Sequence, residues 1–153
     1  MRCKVFVDLD GTIAGSSNWE GFLANTFSIF KPGLLFNPDD YFSEWYLLTS
    51  RPKIDFPLVA AFCFIKRLNP KSIITCDQWF WNQTCIIRKV DFLRNQSIKY
   101  KVLYLDSDQF MLSMIRSTGN LSAMSPEQFL RQFDEQILTK VGDFSCPKSN
   151  ERG

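Results

Sequence analysis

The stretch Val5-Phe6-Val7-Asp8-Leu9-Asp10-Gly11-Thr12 decides how this chain is read. An apolar strand delivers two carboxylates one residue apart, and Gly11 lets the backbone turn where the strand ends. That is the layout of a carboxylate and metal site. At average amino-acid usage an Asp-x-Asp-Gly-Thr string arises by accident in a chain of this size in roughly one case in a thousand. The alternative, a solvated Asp-Gly turn closing a hairpin, would suit the string standing alone, without an apolar strand in front of it.

Outward from this strand, the chain alternates between strand and helix patterns. Residues 18–30 read as a short helix with Trp19, Phe22, Leu23, Phe27 and Phe30 toward the core, stopped by Lys31-Pro32-Gly33. A loop ending at Asn37-Pro38-Asp39-Asp40 precedes a second strand at 45–48, which runs into Thr49-Ser50-Arg51-Pro52. Residues 58–68 predict a helix entered through Pro57 and ended before Pro70. A short β-branched strand at 72–76 and a short helix at 90–95 follow. A fourth apolar strand at 102–105 ends at Asp106-Ser107-Asp108, and Phe110, Met111, Met114 and Ile115 then repeat with helical spacing up to Gly119. After a fifth strand at 121–124, Ser125-Pro126-Glu127-Gln128 is a capping box that opens a last helix with Phe129, Leu130, Phe133, Ile137 and Leu138 inward.

This alternation predicts an α/β fold: one mainly parallel sheet with helices on both faces, a single domain over 1–141 and a polar tail at 142–153. Sites in such sheets form at the carboxyl ends of the strands. Asp8/Asp10, Thr49/Arg51 and Asp106/Asp108 all fall there.

Composition narrows the chemistry. With no histidine among 153 residues, Ser-His and Cys-His nucleophiles and His-ligated zinc are excluded, leaving carboxylates, Lys, hydroxyls and a hard cation. Five cysteines, odd in number and without Cys-x-x-Cys spacing, argue against a disulfide framework and predict a reducing, cytoplasmic setting. The longest apolar run, 56–65, is short of the roughly 20 residues that a membrane span needs. A net charge of +2 gives no general affinity for polyanions, so any nucleic-acid contact must be local.

Four short motifs, in order, make the chain resemble the haloacid dehalogenase superfamily of phosphotransferases: residues 5–12, Leu47-Leu48-Thr49-Ser50-Arg51-Pro52, Lys89 at a helix start, and Tyr104-Leu105-Asp106-Ser107-Asp108. The resemblance implies a Rossmann-like sheet and an aspartyl-phosphate mechanism. Asp8 would be the nucleophile and Asp10 the acid and base. Thr49 would bind a phosphoryl oxygen, with Gly11, Thr12, Ser50 and Arg51 lining the substrate site, and Lys89 would supply a fixed positive charge. Mg²⁺ would be held by Asp8, the Asp10 backbone carbonyl and Asp106, with Asp108 as a further candidate ligand or a partner for Lys89. Neither gap between the motifs is long enough for a cap domain.

An uncapped site suits a bulky phosphorylated substrate. Trp79-Phe80-Trp81, in a loop on the carboxylate edge of the sheet, is followed by Arg88, Lys89, Arg94, Lys99 and Lys101. Exposed aromatics beside basic residues can stack bases while neutralising phosphates, and Trp79 and Trp81 are the candidate stacking residues. The same aromatics could instead fold into a small core. The whole pattern resembles the 3′-phosphatase domains of the polynucleotide kinase/phosphatase family, which implies a nucleotide or polynucleotide 3′ end as substrate. Other readings are a phosphatase for a small metabolite or a phosphoprotein, or a binding module that keeps the fold without turnover.

Overall fold

Alternating side chains of five short strands form the two buried faces of one sheet. In the computed structural model, which describes residues 2–15, 33–115 and 119–139 with side chains to residue 134, the strands are β1 (Cys3–Val7), β2 (Tyr46–Leu48), β3 (Ser72–Ile74), β4 (Lys101–Leu105) and β5 (Leu121–Met124). All neighbouring pairs are parallel, in the order β3-β2-β1-β4-β5. The helices are α1 (Phe56–Ile65), α2 (Thr84–Lys99), α3 (Gln109–Ile115) and α4 (Pro126–Thr139).

Val5 and Val7 of β1 and Leu105 of β4 face Val59, Phe62 and Cys63 of α1, with Phe129 and Leu130 of α4 packed on the same cluster. Phe6 and Tyr104, one residue out of step, face Val90 and Leu93 of α2 and Met111, Leu112 and Ile115 of α3. Helices therefore cover both faces, and the chain is an α/β fold. Parallel strands buried on both sides read as continuous apolar runs, which is why Val5-Phe6-Val7 carries no polar alternation.

The order of the strands fixes where a site can lie. The chain winds outward from β1 to β3 on one side and then crosses to β4 and β5 on the other, so connections leave β1 and β4 in opposite directions and open a crevice at their carboxyl ends.

Two helices differ from their sequence expectation. α2 begins at Thr84, well before residue 90, because Asn82 accepts the Thr84 N–H on its Oδ1 (3.0 Å) and the Cys85 N–H on its carbonyl (3.0 Å). Lys89 thus sits in its second turn, not at its start. α1 stops at Ile65, before residue 68, because Arg67 takes a left-handed conformation (φ 56°). The Leu68 N–H then reaches the Cys63 carbonyl (2.9 Å) and the Arg67 N–H the Phe64 carbonyl (3.2 Å). This is a Schellman ending built without glycine. The capping box stands as expected, with Ser125 Oγ accepting the Gln128 N–H (3.2 Å) and Gln128 Oε1 the Ser125 N–H (3.1 Å).

The expected helix at 18–30, the inward placement of Ile137 and Leu138, and the tail from 142 lie outside what the structure describes. Among the described residues Cys63, Cys76 and Cys85 are free thiols, and no helix is long and apolar enough to cross a membrane.

Candidate functional site

Register brings the first pair of site residues together. Phe6 pairs with Tyr104 and Val7 with Leu105, so one step further the chains deliver Asp8 and Asp106 side by side, a strand spacing of roughly 4.8 Å apart. Both backbones are pinned there: the Asp8 N–H donates to the Leu105 carbonyl (2.9 Å) and the Asp106 N–H to the Met124 carbonyl (3.2 Å). By alternation both side chains continue the face covered by α2, and Lys89 reaches them from that helix. Its Nζ lies 2.5 Å from Asp8 Oδ1 and 3.6 Å from Asp106 Oδ2, with all three side chains buried.

Gly11 (φ 76°) makes the turn after the strand, and the Leu9 carbonyl accepts N–H bonds from Ile13 (3.0 Å) and Ala14 (2.9 Å) as the chain folds back. That turn aims the buried Thr12 hydroxyl at the site, 3.4 Å from Asp8 Oδ2 and 3.3 Å from Ser107 Oγ, while it accepts the Ser107 N–H at 3.0 Å. Thr12 thus bridges the loops after β1 and β4.

The loop after β2 supplies the other wall. Thr49 is buried, with its N–H on the Ile74 carbonyl (3.0 Å) and its hydroxyl oxygen accepting the Arg51 N–H (3.2 Å). Ser50 is half-buried beside it. Arg51, expected to touch substrate, is only 3% exposed and points to Asp10 instead. Its Nε donates to Asp10 Oδ2 (2.8 Å), Nη2 to Asp10 Oδ1 (2.7 Å), and Nη1 to Asp55 Oδ2 (3.3 Å). Asp10 stays 29% exposed on its outer side.

Asp106 is held by its own neighbours: the Tyr104 hydroxyl donates to Oδ2 and the Asp108 N–H to Oδ1 (2.8 Å). Asp108 is exposed and serves as the N-cap of α3, its Oδ1 accepting the Phe110 N–H at 2.9 Å. Among the described residues, no three acidic or cysteine side chains gather closely enough to hold a metal ion by themselves. Asp8 and Asp106 are the two carboxylates that converge.

Electrostatically the cluster is unbalanced. Asp8, Asp10, Asp55 and Asp106 face Arg51 and Lys89, two more negative charges than positive. Burial is the main reason that the Asp8 carboxyl is pushed up to about 7, with Lys89 opposing and Asp106 and Asp10 adding to the rise. Burial also works against the Lys89 charge, but Asp8 and then Asp106 outweigh it and hold that ammonium above its ordinary range. Tyr104 is raised well above its ordinary value by burial and by the same two carboxylates, so it stays a neutral donor. An excess of carboxylates over cations, carried by hard oxygens, suits a divalent cation that uses one or two carboxylates and fills its shell with water and phosphate oxygens. The donor set fits Mg²⁺.

The aromatic loop is open to solvent: Trp79, Phe80 and Trp81 are 66%, 69% and 45% exposed. It is fastened to the loop after β2 by three backbone bonds, Cys76 N–H to Arg51 (2.9 Å), Lys53 N–H to Gln78 (2.8 Å) and Ile54 N–H to Trp79 (3.4 Å). Lys53 Nζ lies 5.8 Å above the Trp79 ring. The basic residues do not gather there as the sequence suggested. Lys89 is inside the site, and Arg88 pairs with Asp77 at 2.5 Å. Lys101 opens β4 opposite Cys3, five residues from Asp106 and roughly 16 Å away along the strand, and Lys99 ends α2 at that same far edge.

Tyr104, Ser107 and Asp55 had no role in the sequence reading. For Tyr104 the signal was present, since a residue two before Asp106 shares its face of the strand. Asp55 becomes legible only once Arg51 is known to turn inward. A comparison of the chain with protein families, curated proteins and solved structures finds no match.

Proposed function

We propose that the protein is a Mg²⁺-dependent phosphomonoesterase of the uncapped haloacid dehalogenase type, which forms an aspartyl-phosphate on Asp8 and acts on nucleotide or polynucleotide 3′-phosphate ends. The observation that carries this reading is the convergence of Asp8, Asp106 and Lys89 at the carboxyl ends of β1 and β4, where the strand order reverses. The strand order supports it, and so does the segment between β2 and α2, where the chain builds a 3₁₀ turn, α1, β3 and loops.

In the first half of the reaction an Asp8 oxygen attacks phosphorus, the bond to the ester oxygen breaks, and that oxygen takes a proton from Asp10. In the second half water attacks the same phosphorus, the bond to Asp8 breaks, and the proton of the water passes to Asp10. Each Asp10 oxygen uses one lone-pair site on Arg51 and keeps another for this proton. Lys89 places a charge beside the transferring group, Thr12 offers a hydroxyl to Asp8, and Thr49 would offer another from the loop after β2. Asp8, Asp106 and the Asp10 carbonyl would hold Mg²⁺, which when bound offsets the repulsion between carboxylate and phosphate.

The exposed rings of Trp79 and Trp81 support the nucleotide reading, because a base would stack on them and their loop is braced against the loop that carries Thr49 and Arg51. With the basic residues dispersed, recognition rests on stacking and not on tracking a phosphate backbone. A hydrolysis screen over nucleoside 3′- and 5′-phosphates, 3′- and 5′-phosphorylated oligonucleotides, sugar phosphates and phosphopeptides, with Mg²⁺ or chelator, tests the proposal. Mg²⁺-dependent release of phosphate, fastest from 3′-phosphorylated nucleotides, is expected. Hydrolysis undiminished in chelator, or none with any substrate, would reject it.

A further inference from the structure

The Arg51 guanidinium is turned onto two carboxylates of the site, Asp10 and Asp55. A guanidinium buried this deeply is costly unless its donors are met, and here two of its N–H groups grip the two oxygens of a single carboxylate. Such a fork fixes the plane of the Asp10 carboxylate as well as its distance, which a single-point contact cannot do. The grip is itself held from behind. The Arg51 N–H is tied to Thr49, its carbonyl accepts from Cys76, Pro52 follows directly, and Asp55, in the 3₁₀ turn Lys53–Asp55, anchors the remaining nitrogen. The loops after β1, β2 and β3 therefore converge on the orientation of one partly exposed carboxylate.

We propose that Arg51 is a positioning residue, whose fork holds Asp10 as the base of the second half-reaction. The proposal rests on the reading of Asp8 as the phosphorylated residue. In that half-reaction the oxygen of water bonds to phosphorus, the bond from phosphorus to Asp8 breaks, and the proton lost by the water goes to Asp10. Without the fork Asp10 swings, water is not aligned, and the phosphorylated enzyme persists. Lys at position 51 keeps the charge but cannot make the two-point grip.

Acetyl phosphate separates the two halves, because acetate leaves as an anion and needs no proton from Asp10. With Mg²⁺ and acetyl phosphate, Arg51→Lys is expected to lose about 100-fold in turnover, the low end of what a positioned acid or base contributes. Its intact mass during turnover should show a phosphoryl adduct that the wild type carries only at trace level. If Arg51→Lys fails to fold by circular dichroism, Asp55→Asn, which removes only the rear anchor, should show a smaller fall with the same adduct. A fall in turnover without the adduct, or unchanged turnover in a folded variant, overturns the role of Arg51 and leaves the phosphatase reading intact. A wild type that does not hydrolyse acetyl phosphate overturns both.

Discussion

Lys89 bridges two buried carboxylates, and removing it would leave both without a cation. Breaking one side of a buried pair costs roughly 3–5 kcal/mol, so Lys89→Met should lower stability by about that amount in denaturant melts in the absence of divalent cations. Asp8→Asn combined with Lys89→Met should recover part of the loss, since one of the stranded charges is gone. Additive losses would show that Lys89 and Asp8 do not interact as described. At this scale the sequence was a good guide where a residue continues a strand and a poor one where it follows a turn. Asp8 and Asp106 were legible because each directly follows an apolar strand, and register did the rest. Arg51 was not, because whether an Arg two residues after Thr49 points outward to solvent or inward to carboxylates depends on Asp10 and Asp55, distant from each other in the chain.

The same contrast separates the elements. Strands β1, β4 and β5 could be read from apolar runs, and α4 from its capping box, because those signals are local. The ends of α1 and α2 could not: one helix stops on a left-handed Arg67 and the other starts on Asn82, neither of which the usual Gly or Ser/Thr signals announce. Arg67 pays a conformational penalty that glycine would not. Arg67→Gly should therefore stabilise the protein by about 0.5–1 kcal/mol, a rise in Tm of roughly 1–4 °C. A lower Tm would mean that the Arg67 side chain contributes more than its backbone costs.

Across the whole molecule, charged and aromatic residues divide between the two edges of the sheet. The carboxyl edge holds the buried charges and the exposed aromatics, while Lys99 and Lys101 lie at the other. Replacing Trp79 by Ala should raise KM for a 3′-phosphorylated oligonucleotide by the equivalent of about 1–3 kcal/mol and leave acetyl phosphate hydrolysis unchanged. Neutralising Lys99 and Lys101 together should leave the salt dependence of oligonucleotide affinity as it was, and a shallower slope would show that the substrate extends to the far edge. The α/β architecture was legible from the alternation of elements, but this partition was not, because five residues of strand separate Lys101 from Asp106 in space far more than they do on the page. Transfer of the phosphoryl group to Asp8 is the step on which the proposed mechanism turns. Borohydride converts an aspartyl-phosphate to homoserine, so wild-type protein trapped during turnover with Mg²⁺ and reduced should carry homoserine at position 8 in the tryptic peptide that begins at Val5. Homoserine at another aspartate, or none in protein that is visibly turning over substrate, would contradict the account.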